Sequence, residues 1–232
     1  MQIRGLSKTT LLDYPGHVAA TIFTGGCNFM CPFCHNGDLV LNPQVYPLLS
    51  DDDIFSFLEK RKQILTGICI TGGEPTLQRD LPEFIKKVKG MGYLVKLDTN
   101  GYEPDILVNL GNKQLLDYIA MDIKSCKEKY SLSCGVKNID IARIENSVTY
   151  LKSCGIPYEF RTTTVKGIHD EQDFIGIGQW LCGNSNYYIQ NYKESDAVIE
   201  KRFESFSVSE LRIYLNIVKQ YLPNTELRGV DD

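Results

Sequence analysis

The sequence has 232 residues, 43% hydrophobic and 23% charged, with a formal net charge of −4. That length suits one substantial α/β domain, or at most two small ones, and the charge shows no overall basic character of the kind that marks a nucleic-acid binder. No apolar run approaches the ~20 residues needed to cross a bilayer, the opening Met1-Gln2-Ile3-Arg4-Gly5 has no apolar core segment, and eight cysteines in such a chain point to a reduced cytoplasm rather than a disulfide scaffold.

In chain order, residues 1–16 end in the turn composition Asp13-Tyr14-Pro15-Gly16 and are expected to cover a sheet edge. The apolar run Val18-Ala19-Ala20-Thr21-Ile22-Phe23 predicts the first strand. A polar, proline-containing connection near Asn42-Pro43 leads to Ser50-Asp51-Asp52-Asp53, a helix start, with an apolar face at Ile54, Phe57, Leu58, Ile64 and Leu65. Strands are then expected at 67–71, 93–98, 118–124, 157–165 and 187–191. Helices are marked by Leu81, Phe84, Ile85 and Val88, by Ile106, Leu107 and Leu110, by Ile141, Ile144, Val148 and Leu151, and by the segment 170–181. Ser207-Val208-Ser209-Glu210 is a capping box opening a last helix, and residues 125–138 read as an irregular loop. Six strands alternating with helices, without an internal repeat or linker, predict one domain over residues 1–232. Its architecture is α/β with a parallel sheet, and the polar loops at the strand C-termini are where such sheets bind ligands.

Chemistry concentrates after the first strand, in Cys27-Asn28-Phe29-Met30-Cys31-Pro32-Phe33-Cys34-His35-Asn36. Three cysteines at C-x3-C-x2-C can converge on one metal centre and leave one coordination position unfilled by the loop. Phe33 sets an aromatic ring beside it. Competing readings are a zinc site of Cys27, Cys31, Cys34 and His35, an electron-transfer cluster completed by Cys69 or Cys126, and unliganded thiols. Further stations follow the later strands: Gly72-Gly73-Glu74-Pro75, Asp98-Thr99-Asn100-Gly101 and Asp122-Ile123-Lys124. On the fifth strand Arg161 and Thr163 alternate with Thr162 and Thr164, so one set points inward. The plain structural readings are a tight glycine turn, aspartates capping turns, a solvent-facing lysine and ordinary barrel filling.

The cysteine spacing with an aromatic residue before the third cysteine, followed by Gly-Gly-Glu-Pro, resembles the radical S-adenosylmethionine superfamily. The resemblance implies a partial (β/α)6 TIM-like barrel, one 4Fe–4S cluster on Cys27, Cys31 and Cys34, and S-adenosylmethionine on the fourth iron. It also implies cofactor contacts from Phe33, Gly72, Gly73, Glu74, Asp98, Thr99, Asp122, Lys124, Arg161 and Thr163. Asp98, Thr99 and Asp122, with a nearby backbone carbonyl, resemble an oxygen site for a monovalent cation in a related activator. Gln190 stands near the position of a cofactor-contacting histidine there, and no histidine is present here.

Over nearly its whole length the chain resembles the compact, single-cluster activating proteins of anaerobic ribonucleoside-triphosphate reductase. That implies an oxidoreductase that cleaves S-adenosylmethionine reductively and generates a glycyl radical on the reductase, with flavodoxin or ferredoxin as electron donor and neither nucleic acid nor membrane as partner. The alternatives are activation of another glycyl-radical enzyme, radical chemistry on a small molecule, and a non-catalytic iron–sulfur or zinc-binding module. Cys69, Cys126, Cys134, Cys154 and Cys182 make no second cluster motif, so a single cluster is expected.

Overall fold

A computed structural model describes residues 1–230. The expected strands form as β2 (Ala19–Thr24), β3 (Gly67–Gly72), β4 (Leu94–Thr99), β5 (Tyr118–Asp122), β6 (Tyr158–Thr164) and β7 (Asn186–Asn191). Two further strands extend them. The opening segment becomes β1 (Ile3–Thr10), antiparallel to β2, and β8 (Thr225–Arg228) adds in parallel to β7. The eight strands lie in sequence order and the sheet does not close on itself, giving an open, partial TIM-like barrel.

The helices between them are α1 (Gly37–Leu41), α2 (Asp51–Glu59), α3 (Leu81–Gly90), α4 (Pro104–Asn112), α5 (Tyr130–Cys134), α6 (Ile141–Leu151), α7 (Glu171–Leu181) and α8 (Val208–Lys219). The side chain of Ser50 accepts the Asp53 amide at 3.1 Å and starts α2, and capping boxes open α7 and α8. The α2 helix stops before Ile64, which is half exposed, because the chain must turn back for Leu65 to enter the core ahead of β3. The supposed loop at 125–138 holds α5, ended by Gly135 in a left-handed conformation. A five-residue helix is too short to show a period, and it is fixed by burial of Tyr130 and by the Met30 amide donating to the Cys134 carbonyl at 2.9 Å. No helix among the described residues is long and apolar enough to cross a membrane.

Alternation along the strands sorts the two faces. Val95, Leu97 and Phe160 pack with Leu81, Phe84, Ile85, Leu107, Ile144 and Val148 in one apolar cluster, the layer that joins sheet to helices. The other face carries Lys96 and Asp98 on β4, Glu159, Arg161 and Thr163 on β6, and Arg228 on β8. Toward the strand N-termini, fully buried Glu159 accepts both Arg228 nitrogens, at 2.6 and 3.0 Å, and the Tyr118 hydroxyl at 2.9 Å. The Arg228 guanidinium lies 3.6 Å from the Tyr188 ring centroid. This bidentate pair pins β8 to β6 across β7.

Removing one partner of such a pair strands a buried charge. Arg228→Ala should therefore lower unfolding free energy by about 3 kcal/mol in urea titrations, whereas Lys201→Ala, at an exposed position, should leave the urea midpoint unchanged.

Candidate active site

Each parallel strand from β2 to β6 delivers a polar segment to the same end of the barrel, and these segments enclose a cavity of about 150 Å³. Its frame is a set of backbone contacts between the cysteine loop and the Gly72–Pro75 loop. The Gly73 amide donates to the Thr24 carbonyl and the Glu74 amide to the Gly26 carbonyl, both at 2.8 Å. Asn36 Nδ2 donates to the Gly72 carbonyl at 2.9 Å, and Gln78 Nε2 to the Gly25 carbonyl at 3.1 Å. The approach is so close that a Cβ on Gly73 would lie 1.9 Å from the Gly26 oxygen. Gly72, at φ +115°, has no room for one either.

Glu74 is 1% exposed, yet its carboxylate does not stand free. Oε1 accepts from the Thr76 amide (3.1 Å), the Thr76 hydroxyl (2.6 Å) and the Thr99 hydroxyl (2.8 Å), while Oε2 accepts the Asn100 amide at 2.7 Å. Burial raises its pKa from the ordinary carboxylate value, and these donors only partly offset the rise. Glu74 thus ties the glycine loop to the end of β4. Asn100 Nδ2 then reaches the Asn28 Oδ1 at 2.7 Å, closing a ring of contacts around Cys27.

Beneath this frame lies an ion network. Arg161 bridges Asp98, through Nη2 at 3.1 Å, and Asp122, through Nε. Lys96 contacts the second oxygen of Asp98, and Lys124 reaches the second oxygen of Asp122 at 2.9 Å. Burial alone would raise both aspartates. The Arg161 charge, with Lys96 at Asp98 and Lys124 at Asp122, outweighs burial and holds both carboxyls below their usual range. In turn, burial would lower Lys124, but Asp122 keeps it charged.

Every residue expected at the site lines this one cavity: Cys27, Cys31, Cys34, Phe33, Gly72, Gly73, Glu74, Asp98, Thr99, Asp122, Lys124, Arg161 and Thr163. The inward set on β6 is therefore Arg161 and Thr163. Thr162 and Thr164 instead donate to the carbonyls of Ile123 and Gln190, at 2.7 and 2.9 Å. Gln190 is absent from the lining. His35, weighed above only as a zinc ligand, also lines the cavity, as do Phe29, Asn36, Val40, Thr71 and Asn100, to which no role was assigned. Asn36 and Asn100 sit directly beside recognised motifs, so adjacency was a usable signal. Lys96 and His169 had none. Lys96 enters the network by strand alternation alone. His169 is a buried ring whose Nδ1 accepts the Val165 amide at 3.0 Å and whose Nε2 meets the Lys124 carbonyl at 2.8 Å, with Phe33 edge-on at 6.1 Å between centroids.

The donor set fits an iron–sulfur cluster. Burial pushes the thiols of Cys27 and Cys31 up to about 12 and raises Cys34 as well, so thiolates here require a metal to compensate them. Asn28 Nδ2, in the same loop, is buried without a partner and is suited to donate toward cluster sulfur. Among the described residues no three His, Cys, Asp or Glu side chains are grouped for a single metal ion. His35, needed for the compact zinc arrangement, has its Nε2 on the Lys193 carbonyl at 2.6 Å. A cubane takes one thiolate on each of three irons and accepts a wider spread of ligands.

Comparison with known proteins agrees with this geometry. The description "Radical SAM superfamily" matches residues 21–177. A Methanocaldococcus jannaschii protein, named provisionally as a glycyl-radical enzyme activating enzyme, is 33% identical over 99% of this chain and 96% of its own length. A Saccharolobus solfataricus protein, named provisionally as a GTP 3′,8-cyclase, is 40% identical over 81% of this chain and 65% of its own. Streptococcus suis SuiB, solved bound to S-adenosylmethionine, superposes with a TM-score of 0.69 at 16% identity, over 88% of this chain. The chain spans only about half of SuiB, 48%, so that likeness speaks for the fold alone. By its motifs, its fold and the match across residues 21–177, the chain belongs to the radical S-adenosylmethionine superfamily.

Proposed function

We propose that the protein is a radical S-adenosylmethionine activase that generates a glycyl radical on a partner enzyme. Anaerobic ribonucleoside-triphosphate reductase is the partner that the whole-chain resemblance favours. The observation that carries the reading is the single cavity on which the three cysteines, the glycine loop and the Asp98–Arg161–Asp122–Lys124 network all open. The end-to-end likeness to the Methanocaldococcus protein supports activation over the other radical chemistries. The cyclase likeness, which spans 65% of that relative's length, favours a second reading, a radical enzyme acting on a small molecule.

In this reading Cys27, Cys31 and Cys34 hold one 4Fe–4S cluster, reduced by flavodoxin or ferredoxin. When bound, cluster and S-adenosylmethionine would supply reductive cleavage of the sulfonium, and with it the hydrogen-abstraction chemistry that makes a glycyl radical on the partner. The chain's own part is binding, orientation and exclusion of water. The backbone at Gly72 and Gly73 can approach the methionine ammonium without a side chain intervening. Lys124, Arg161 and the Thr163 hydroxyl face the cavity as donors for its carboxylate. Phe33, held edge-on by His169, shields the cluster side of the cavity.

Assay of 5′-deoxyadenosine by anaerobically reconstituted, reduced protein, with and without the reductase, tests the reading. Cleavage accompanied by a glycyl radical signal on the reductase in electron paramagnetic resonance is the expected result; cleavage without that signal would favour the small-molecule reading. Alanine at Cys27, Cys31 or Cys34 should reduce cleavage to background while circular dichroism stays native, and persistent turnover would sink the cluster assignment. Glu74→Gln is expected to raise the KM for S-adenosylmethionine about tenfold at nearly constant kcat and iron content. The cause would be replacement of a charge-assisted acceptor of the Asn100 amide by a weaker or repelling group.

A further inference from the structure

The oxygens that resemble a monovalent-cation site already have partners. Asp98 Oδ1 is contacted by Lys96 and its Oδ2 by Arg161 Nη2 at 3.1 Å. Asp122 Oδ1 is contacted by Arg161 Nε and its Oδ2 by Lys124 at 2.9 Å. Each of the four carboxylate oxygens therefore faces one fixed cationic donor. The Thr99 hydroxyl is spent on Glu74 at 2.8 Å and accepts the Gly101 amide at 3.1 Å. The charges sum to a surplus of one positive, Lys96, Arg161 and Lys124 against Asp98 and Asp122. A further cation would have to displace an arginine whose side chain is only 16% exposed and enter a group already positive.

We infer that the Arg161 guanidinium stands permanently in the place of a monovalent cation, so that this cofactor pocket assembles without potassium or sodium. The geometry suits arginine in particular. Its planar fork joins the ends of β4 and β5 from β6 through two separate nitrogens, Nη2 toward Asp98 and Nε toward Asp122, as an ion between two carboxylates would. Arg161 is thus a positioning residue. It fixes the spacing of two strand ends, while Lys96 holds the far side of Asp98 and Lys124 that of Asp122. The remaining positive charge suits the carboxylate of a zwitterionic cofactor rather than a metal cation. The inference rests on the proposed cofactor site, but it concerns only how that site is held together.

The test compares potassium chloride with tetramethylammonium chloride at equal ionic strength, the organic cation being too large for an oxygen cage. Two quantities are read on the cluster-loaded protein, the melting temperature and the affinity for S-adenosylmethionine. Neither requires a reductase, so failure of the activase reading leaves the comparison intact, and melting still reports on the site if the cofactor does not bind. The native protein should behave alike in the two salts. Arg161→Gln exposes two carboxylates to each other and should acquire a potassium-specific rise in melting temperature. It should also gain about tenfold in cofactor affinity on adding potassium. A potassium-specific rise in either quantity for the native protein would overturn the inference, as would a folded Arg161→Gln protein indifferent to potassium. If that variant does not fold, the native comparison decides alone.

Discussion

The site depends on two loops touching through bare backbone. The carbonyls of Thr24 and Gly26 receive the amides of Gly73 and Glu74, and no side chain fits between the loops. This contact sets the distance from the cysteine-bearing loop to the loop beside it, and therefore from a cluster to whatever the glycine loop binds. The same approach explains why Gly73 must be small: a methyl there would land on the Gly26 oxygen and push the loops apart, whereas Gly26 needs glycine for its φ of +87°. A contact built from backbone has little freedom to relax. It makes the separation of the two binding elements a property of the β2–β3 pairing, whose register runs unbroken from Ala19–Gly67 to Thr24–Gly72.

Around that contact, buried carboxylates keep position by taking a donor on every oxygen. Glu74 has four donors on two oxygens, and Asp98 and Asp122 have a cationic donor on every oxygen. Buried charges left unpaired would be costly, whereas these are preorganised and need not rearrange when a charged cofactor arrives. The barrel interior is accordingly divided along its length. Near the strand N-termini the Glu159–Arg228 pair with Tyr118 and Tyr188 fills space and ties the last strand in. Near the C-termini the five-membered network leaves a face open to the cavity. One face of the same strands thus serves closure at one end and binding at the other, while the opposite, apolar face bonds sheet to helices.

Much of this was legible in the sequence because it is written in local patterns. Apolar runs separated by amphipathic helices gave the six central parallel strands, and motifs at strand ends fell into one cavity because parallel strands put all their C-termini on one side. Less was legible where the determinants are non-local. The Ile3–Thr10 strand has no continuous apolar run, and Thr225–Arg228 is four residues with alternating charge; both exist because a neighbouring strand offers an edge. Lys96 carries no local signal, and only Asp98 and Arg161 beside it in the fold bring it into the network. Glu74 is expected from its motif as a cofactor contact, but a motif names the residue type and not its partners: the chain itself places three donors on Oε1 and one on Oε2.

His169 illustrates how such a frame extends beyond the motifs. Burial lowers its pKa, so the ring is neutral, and with Nδ1 accepting the Val165 amide the Nε2 must carry the proton it gives to the Lys124 carbonyl. The backbone of Lys124 is therefore held from the β6 side by a histidine whose edge also meets Phe33 of the cysteine loop. A bond and a ring contact from one side chain thus fix the end of β5 relative to the cluster loop. The Met30 amide on the Cys134 carbonyl and Gly135 against the Met30 oxygen hold the same loop from α5. A methyl at Gly135 would come within 2.1 Å of that oxygen, so α5 ends in glycine for two reasons at once, its left-handed backbone and the loop it supports. The cysteine loop is thus held by β3, α5 and the segment after β6, so the three thiols proposed to hold a cluster stand on a loop anchored by several neighbouring elements.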